Sequence, residues 1–304
     1  MWSSLTEGLL KGDIKSLARC ITLVENDVAG ADQFMQSLPL SSIPVLGITG
    51  PPGAGKSTLT DALIEQIIKA GKKIAVLCVD PSSPFNLGAV LGDRIRMSRW
   101  YNHPDVFIRS LATRGALGGL HPYILEVTDI CKTAGFDYIL IETVGVGQSE
   151  VEITGLADAT IVVLIPESGD EVQTMKAGLM EIADLFVLNK ADRPDADLFA
   201  RHLRLMLAPA FKAGKREVPI FKTVATENKG IQELWVALQS FLASEHFNEQ
   251  KSWLLAEKVY RLIQQKRMKD VNKEFLLQAI KTQMSKTFNL YRFAADYTSE
   301  QNQK

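Results

Sequence analysis

The chain has 304 residues, 46% hydrophobic and 23% charged, and Lys+Arg 34 against Asp+Glu 35 leaves a net charge of −1. That length accommodates one large domain with extensions or two domains, and the balanced charge offers no bulk attraction for nucleic acid. No apolar run approaches the ~18–20 residues of a membrane-spanning helix, and the opening Met-Trp-Ser-Ser-Leu-Thr-Glu lacks the basic-then-apolar build of a secretory signal.

Residues 1–42 read as a helical N-terminal extension, with Leu10, Ile14, Leu17, Ile21 and Val24 in one apolar stripe that suits docking on a main domain. Pro39 and Pro44 punctuate its end. Residues 43–244 alternate strands and helices. Strands are expected at Val45–Thr49, Lys73–Val79, Val106–Ser110, Tyr138–Ile141, Thr160–Ile165, Leu185–Leu188 and Pro219–Thr223. Several are unbroken apolar runs, which marks strands covered on both faces. The fold class is therefore α/β: a mostly parallel sheet flanked by helices, with helical N- and C-terminal extensions. In such a sheet ligands bind at the strand C-terminal edge. Cys20, Cys78 and Cys131 lie far apart and read as reduced thiols of a cytoplasmic protein, with Cys78 expected in the core.

The first functional signal follows the first strand. Gly50, Pro51, Pro52, Gly53, Ala54, Gly55, Lys56 and Ser57 fit G-x-x-x-x-G-K-[ST], the phosphate-binding loop of P-loop NTPases. Thr58–Ala70 continues as a helix with Leu59, Leu63, Ile64, Ile67 and Ile68 on one face. Glycines let backbone approach phosphate, and a helix start offers unpaired N–H groups. Lys56 is expected on the β- and γ-phosphates, Ser57 on Mg²⁺, and Thr58 beside them.

The second strand ends in Asp80, followed by Pro81-Ser-Ser-Pro-Phe85 and Leu91-Gly-Asp-Arg-Ile-Arg-Met97. Asp80 and Asp93 are candidates for the Mg²⁺ shell or for orienting an attacking water. Arg94, Arg96 and Arg114 are candidates to meet phosphate or a partner, and Thr113–Gly119 is glycine-rich enough to be a loop. Tyr138-Ile-Leu-Ile-Glu142 is a strand ending in an acid, as a Walker B element does. Glu142-Thr-Val-Gly145 then stands where many GTPases have D-x-x-G. Glu142 is expected at Mg²⁺, the Gly145 N–H at the γ-phosphate, and Gln148 is the candidate to position water.

Asn189, Lys190, Ala191 and Asp192 fit N-K-x-D after a strand. Guanine presents N1–H and N2–H donors that one carboxylate accepts together, whereas adenine would face Asp192 with an acceptor. Val224, Ala225 and Thr226 occupy the place of S-A-[KR], with Val for Ser, and the Ala225 N–H is expected at guanine O6. The reading is a site for GTP/GDP and Mg²⁺. Residues 245–304 change character. Leu255, Val259, Leu262 and Ile263 form one helical stripe, and Leu276, Ile280, Met284 and Phe288 another. These stripes suit either packing on their own domain or a dimerisation or partner-binding arm.

Together, the strings at 50–57, 79–84, 91–97, 112–115, 142–150 and 189–192 resemble the MeaB/ArgK family of SIMIBI-class GTPases, over nearly the whole chain. The resemblance implies a G-protein chaperone of adenosylcobalamin-dependent acyl-CoA mutases, chiefly methylmalonyl-CoA mutase. It also implies a homodimer joined through C-terminal helices, while the balanced charge and the short apolar runs speak against nucleic acid or a membrane as partner. Asn86-Leu-Gly88 replaces the family's usual Thr-Gly-Gly stretch. The alternative is a kinase or ATPase of basic amino-acid transport, which would need a phosphoacceptor site that no motif supplies. A metal-insertion GTPase would want clustered ligands, and His103, His121, His202 and His246 are scattered.

Overall fold

The computed structural model describes residues 1–39, 41–80, 97–113, 120–145, 152–168, 182–212, 218–268, 271, 273–283, 288–295 and 297. Its frame is a 7-stranded sheet of β1 (Val45–Thr49), β2 (Ile74–Asp80), β3 (Val106–Ala112), β4 (Tyr138–Glu142), β5 (Ala159–Leu164), β6 (Leu185–Leu188) and β7 (Ile220–Lys222). The spatial order is β3-β2-β4-β1-β5-β6-β7, and every pairing is parallel. All strand expectations are met, with ends displaced by a residue or two.

Neighbouring residues of a strand face opposite layers, and both layers are filled. On one face Val45, Ala75, Leu77, Val79, Ile139 and Ile141 pack with the helices α1 (Trp2–Leu10), α2 (Ile14–Glu25), α3 (Ala31–Ser37) and α5 (Ile124–Thr133). Further along that face Val162, Leu164, Phe186 and Leu188 meet Phe199, Ala200, Leu203 and Leu207 of α6 (Ala196–Lys212). The other face sends Leu46, Ile48, Val76, Ile161 and Val163 against α4 (Lys56–Lys69) and α7 (Ile231–Leu242). Cys20, Cys78 and Cys131 are all buried thiols that take part in no disulfide among the described residues.

The N-terminal helices share the core beneath β2, β4 and β1 and are not a separate unit. Glu25 of α2 accepts a 2.6 Å hydrogen bond from Arg109 of β3 and lies 3.4 Å from Nε2 of the buried His121. The single stripe expected there is corrected. Leu10 is 56% and Ile14 41% exposed, whereas Leu9, Leu17, Cys20, Ile21 and Val24 are buried. The helix breaks at Gly12, whose φ is +76°, and restarts at Asp13, which accepts from the Ser16 amide at 2.8 Å. Residues 10 and 14 therefore belong to different helices.

A second pattern closes the N-terminal edge of the sheet. The residue leading β4, Asp137, accepts the Lys73 N–H at 2.8 Å and returns its own N–H to the Lys73 carbonyl. Asp158, leading β5, does the same to Val45, and Asp184, leading β6, to Thr160. Each acid satisfies a backbone donor at the start of a neighbouring strand.

The chain divides into compact units 1–251 and 252–304, with α8 (Glu245–Arg267) running through the division. The second unit continues through α9 (Lys273–Gln283) and α10 (Leu290–Ala295). Along α8, Leu255, Val259, Leu262 and Ile263 are 48, 53, 39 and 45% exposed. Of the second stripe, Leu276, Ile280 and Phe288 are half-buried, and Met284 lies outside the described residues. No helix among the described residues is long and apolar enough to cross a membrane.

Candidate functional site

The site gathers on the C-terminal edge where β1 runs into α4. Gly50 ends the strand with φ +136°, and a Cβ there would be driven into the Val163 carbonyl of β5. Only glycine lets the loop start against that backbone. The chain then turns through Pro51–Gly55 into α4, so Lys56 and Ser57 stand in its first turn. Lys56 is 7% exposed, and its ammonium donates to the Gly50 carbonyl at 2.9 Å and to the Pro51 carbonyl at 3.1 Å. Thr58 is half-buried on the next position.

Strand register places the acid. Ile48 pairs with Glu142, so β4 ends level with the loop. The 3% exposed Glu142 carboxylate accepts from Ser57 Oγ at 2.6 Å and from Thr60 Oγ1 at 2.8 Å. Thr143 Oγ1 donates to Thr49 Oγ1 at 2.9 Å, pinning the two strand ends together. Beyond it, Gly145 has φ +86°, and a Cβ there would lie 2.5 Å from the Gly50 carbonyl oxygen and closer still to the Lys56 ammonium. The backbone of residue 145 thus runs against Lys56 with no room for a side chain. Asp80, 4% exposed, ends β2, two residues past Cys78, which pairs with Glu142. The Ser57 hydroxyl and the Glu142 carboxylate are hard oxygen donors converging beside a phosphate loop, a set that fits Mg²⁺.

The base-reading loops join the same edge. Asn189, 3% exposed, donates from Nδ2 to the Ala54 carbonyl at 3.0 Å, and Lys190 Nζ donates to the Gly53 carbonyl at 2.8 Å. Asn189 Oδ1 accepts from Thr223 Oγ1 at 3.1 Å and from the Ala225 N–H at 3.2 Å. The Ala225 amide, expected at guanine O6, here donates to the buried Asn189 oxygen. Val224 bridges Lys229, and Thr226 is exposed. Asp192 is exposed beside Lys229, whose pKa is raised by its 2.5 Å bond to Glu227, with Asp192 adding to the effect.

Gln148, Asp93, Arg94, Arg96, Arg114 and Asn86–Gly88 lie outside the described residues. The motifs gave no notice of Thr60, of the Thr49–Thr143 bond, or of a clamp on the outer face of α4. There Arg99 holds Asp61 at 2.6 Å and Glu65 at 3.0 Å, while Trp100 Nε1 donates to Asp61 at 2.7 Å. The available signal for Thr60 was a hydroxyl on a buried helix face, one turn after Ser57.

A parallel sheet of this order, a phosphate loop and a guanine-type N-K-x-D tied to that loop define a P-loop GTP-binding protein. Within that class, the profile of the methylmalonyl-CoA mutase-associated GTPases, MeaB, matches residues 17–285, and the chain belongs to that family. A protein of Pyrococcus abyssi named as a GTPase is 51% identical over 242 residues, covering 77% of this chain and 74% of its own. The fused isobutyryl-CoA mutase of Geobacillus kaustophilus is 37% identical over 249 residues, 76% of this chain but 23% of its own. Among solved structures, a LAO/AO transport system kinase superposes with TM-score 0.68 at 28% identity, covering 94% of this chain and 93% of its own.

Proposed function

We propose that this chain is a Mg²⁺-dependent, cytoplasmic GTPase. Its GTP and GDP states assist and protect an adenosylcobalamin-dependent acyl-CoA mutase, methylmalonyl-CoA mutase first among the candidates. The nucleotide half rests on one observation: Asn189 and Lys190 are hydrogen-bonded to the phosphate loop at Ala54 and Gly53, so base-reading and phosphate-binding elements form one site. The partner half is supported by the family and by a relative in which a matching segment and an isobutyryl-CoA mutase are one chain. The Asn189–Asp192 motif speaks for guanine and against the transport-kinase alternative.

In this reading Lys56 and the loop amides hold the β- and γ-phosphates, and Asp192 accepts the two guanine donors. Ser57 and Glu142 hold Mg²⁺, with Asp80 on the neighbouring strand. Bound there, Mg²⁺ neutralises charge on the phosphate oxygens. The Gly145 amide region, packed against Lys56, reports whether a γ-phosphate is present. Phosphoryl transfer to water needs positioning and charge stabilisation more than covalent chemistry. Hydrolysis by the isolated chain is therefore slow, and a partner that completes the site accelerates it. The exposed stripe of α8 supports a homodimer built through the C-terminal helices.

The test is GTP hydrolysis with and without a purified acyl-CoA mutase, with ATP and Asp192→Asn as controls. The expected result is slow basal turnover that the mutase stimulates, and stimulation that disappears with ATP and in the variant. Fast turnover by the chain alone, or indifference to every mutase tried, would remove the partner half and leave the nucleotide site standing.

A further inference from the structure

The acid at the end of β4 is a glutamate, and its side chain has one more torsion to fix than an aspartate would. Its backbone is already held: Ile48 pairs with Glu142, the Thr143 N–H bonds the Ile48 carbonyl at 3.0 Å, and the Thr143 and Thr49 hydroxyls are 2.9 Å apart. What remains to be set is the orientation of the carboxylate. Ser57 Oγ holds Oε1 at 2.6 Å and Thr60 Oγ1 holds Oε2 at 2.8 Å. Ser57 and Thr60 are three residues apart on α4, so their side chains rise from one face on successive turns. The two oxygens are gripped by one rigid element.

Thr60 is fully buried on a helix whose Leu59, Leu63 and Ile64 are fully buried too. A hydroxyl in such an apolar layer is costly unless it is bonded, so the position makes physical sense through its partner. We propose that Thr60 is a positioning residue for the divalent cation: by taking Oε2, it turns the Oε1 side of Glu142 toward Ser57 and the metal. The proposal rests on the Mg²⁺–GTP reading above. Outer groups that orient a metal's ligands shift metal affinity by about 10–100-fold when removed. Thr60→Val keeps the shape and removes the hydroxyl, and with it the bond that Thr60 makes to Oε2. Thr60→Ser keeps the hydroxyl.

The experiment titrates Mg²⁺ into the full chain with a fluorescent GDP analogue, starting from EDTA, and reads the concentration of half-maximal effect. Melting without nucleotide and analogue affinity in EDTA are measured alongside, and Ca²⁺ replaces Mg²⁺ in a parallel series. For Thr60→Val the half-effect concentration is expected to rise about tenfold or more, with Mg²⁺–Ca²⁺ discrimination narrowed and affinity in EDTA unchanged. Thr60→Ser is expected to stay within about threefold of wild type. A Thr60→Val protein that melts lower but titrates like wild type would overturn the proposal and leave Thr60 a packing residue. A wild-type chain indifferent to Mg²⁺ would overturn both this proposal and the Mg²⁺ reading beneath it. If Thr60→Val does not fold, Thr60→Ala against Thr60→Ser carries the same contrast.

Discussion

At the scale of single residues, burial decides which side chains keep ordinary chemistry. Glu126 of α5 is pushed up to about 7 by burial, with Asp129 and Asp32 adding repulsion, and its Oε2 has no hydrogen-bond partner among the described residues. The folded chain therefore holds a proton there that the unfolded chain gives up near the usual carboxylate value. Stability associated with the neutral acid is complete below about pH 4.5 and is lost as pH rises through about 7, a difference of roughly 3 kcal/mol. Wild type should melt lower at pH 8 than at pH 5, and Glu126→Gln should flatten that slope. Equal slopes in calorimetry would show that residue 126 stays ionised. Burial likewise lifts the Cys20 thiol to about 11 and Cys131 to about 12, so neither should react with thiol reagents until the chain unfolds.

Elements succeed or fail as readings according to where their partners are. Most strands were legible because they are apolar runs, a pattern that two-sided burial imposes locally, whereas β3 carries Arg109 and Ser110 and the half-buried β7 ends in Lys222. The phosphate loop and Asn189–Asp192 were legible for the same reason: contiguous residues carry their chemistry. The N-terminal stripe misled because apolar spacing continues across Gly12–Asp13, and the stop lies in the capping residues instead. Ser57, Thr60 and Glu142 meet only because β4 is inserted beside β1, a fact of strand order that no window of sequence contains. The leading aspartates of β4, β5 and β6 share that property, since each is bonded to a strand far away in sequence. Removing one leaves a strand-end N–H without its acceptor. Asp158→Ala should lower stability by about 1–3 kcal/mol in urea titrations while leaving nucleotide affinity unchanged. An Asp158→Ala chain as stable as wild type would show that water replaces the carboxylate there without loss.

For the whole molecule, the exposed stripe on α8 is the feature a single chain leaves unfinished. Charges placed on it, as in Val259→Asp with Ile263→Asp, should shift sedimentation of the full chain from dimer to monomer without altering GDP binding. A wild-type chain that sediments as a monomer would contradict the proposed homodimer. The bonds from Asn189 and Lys190 to Ala54 and Gly53 carry a different consequence. They fix the span between the pocket for the base and the cradle for the phosphates, as the jaws of a caliper are fixed by its beam. A ligand that fills both jaws gains the second contact at high effective concentration, whereas guanosine or pyrophosphate alone gains only one. In the proposed site the protein therefore measures length as well as chemistry, and its affinity for GDP should far exceed what the separate fragments suggest.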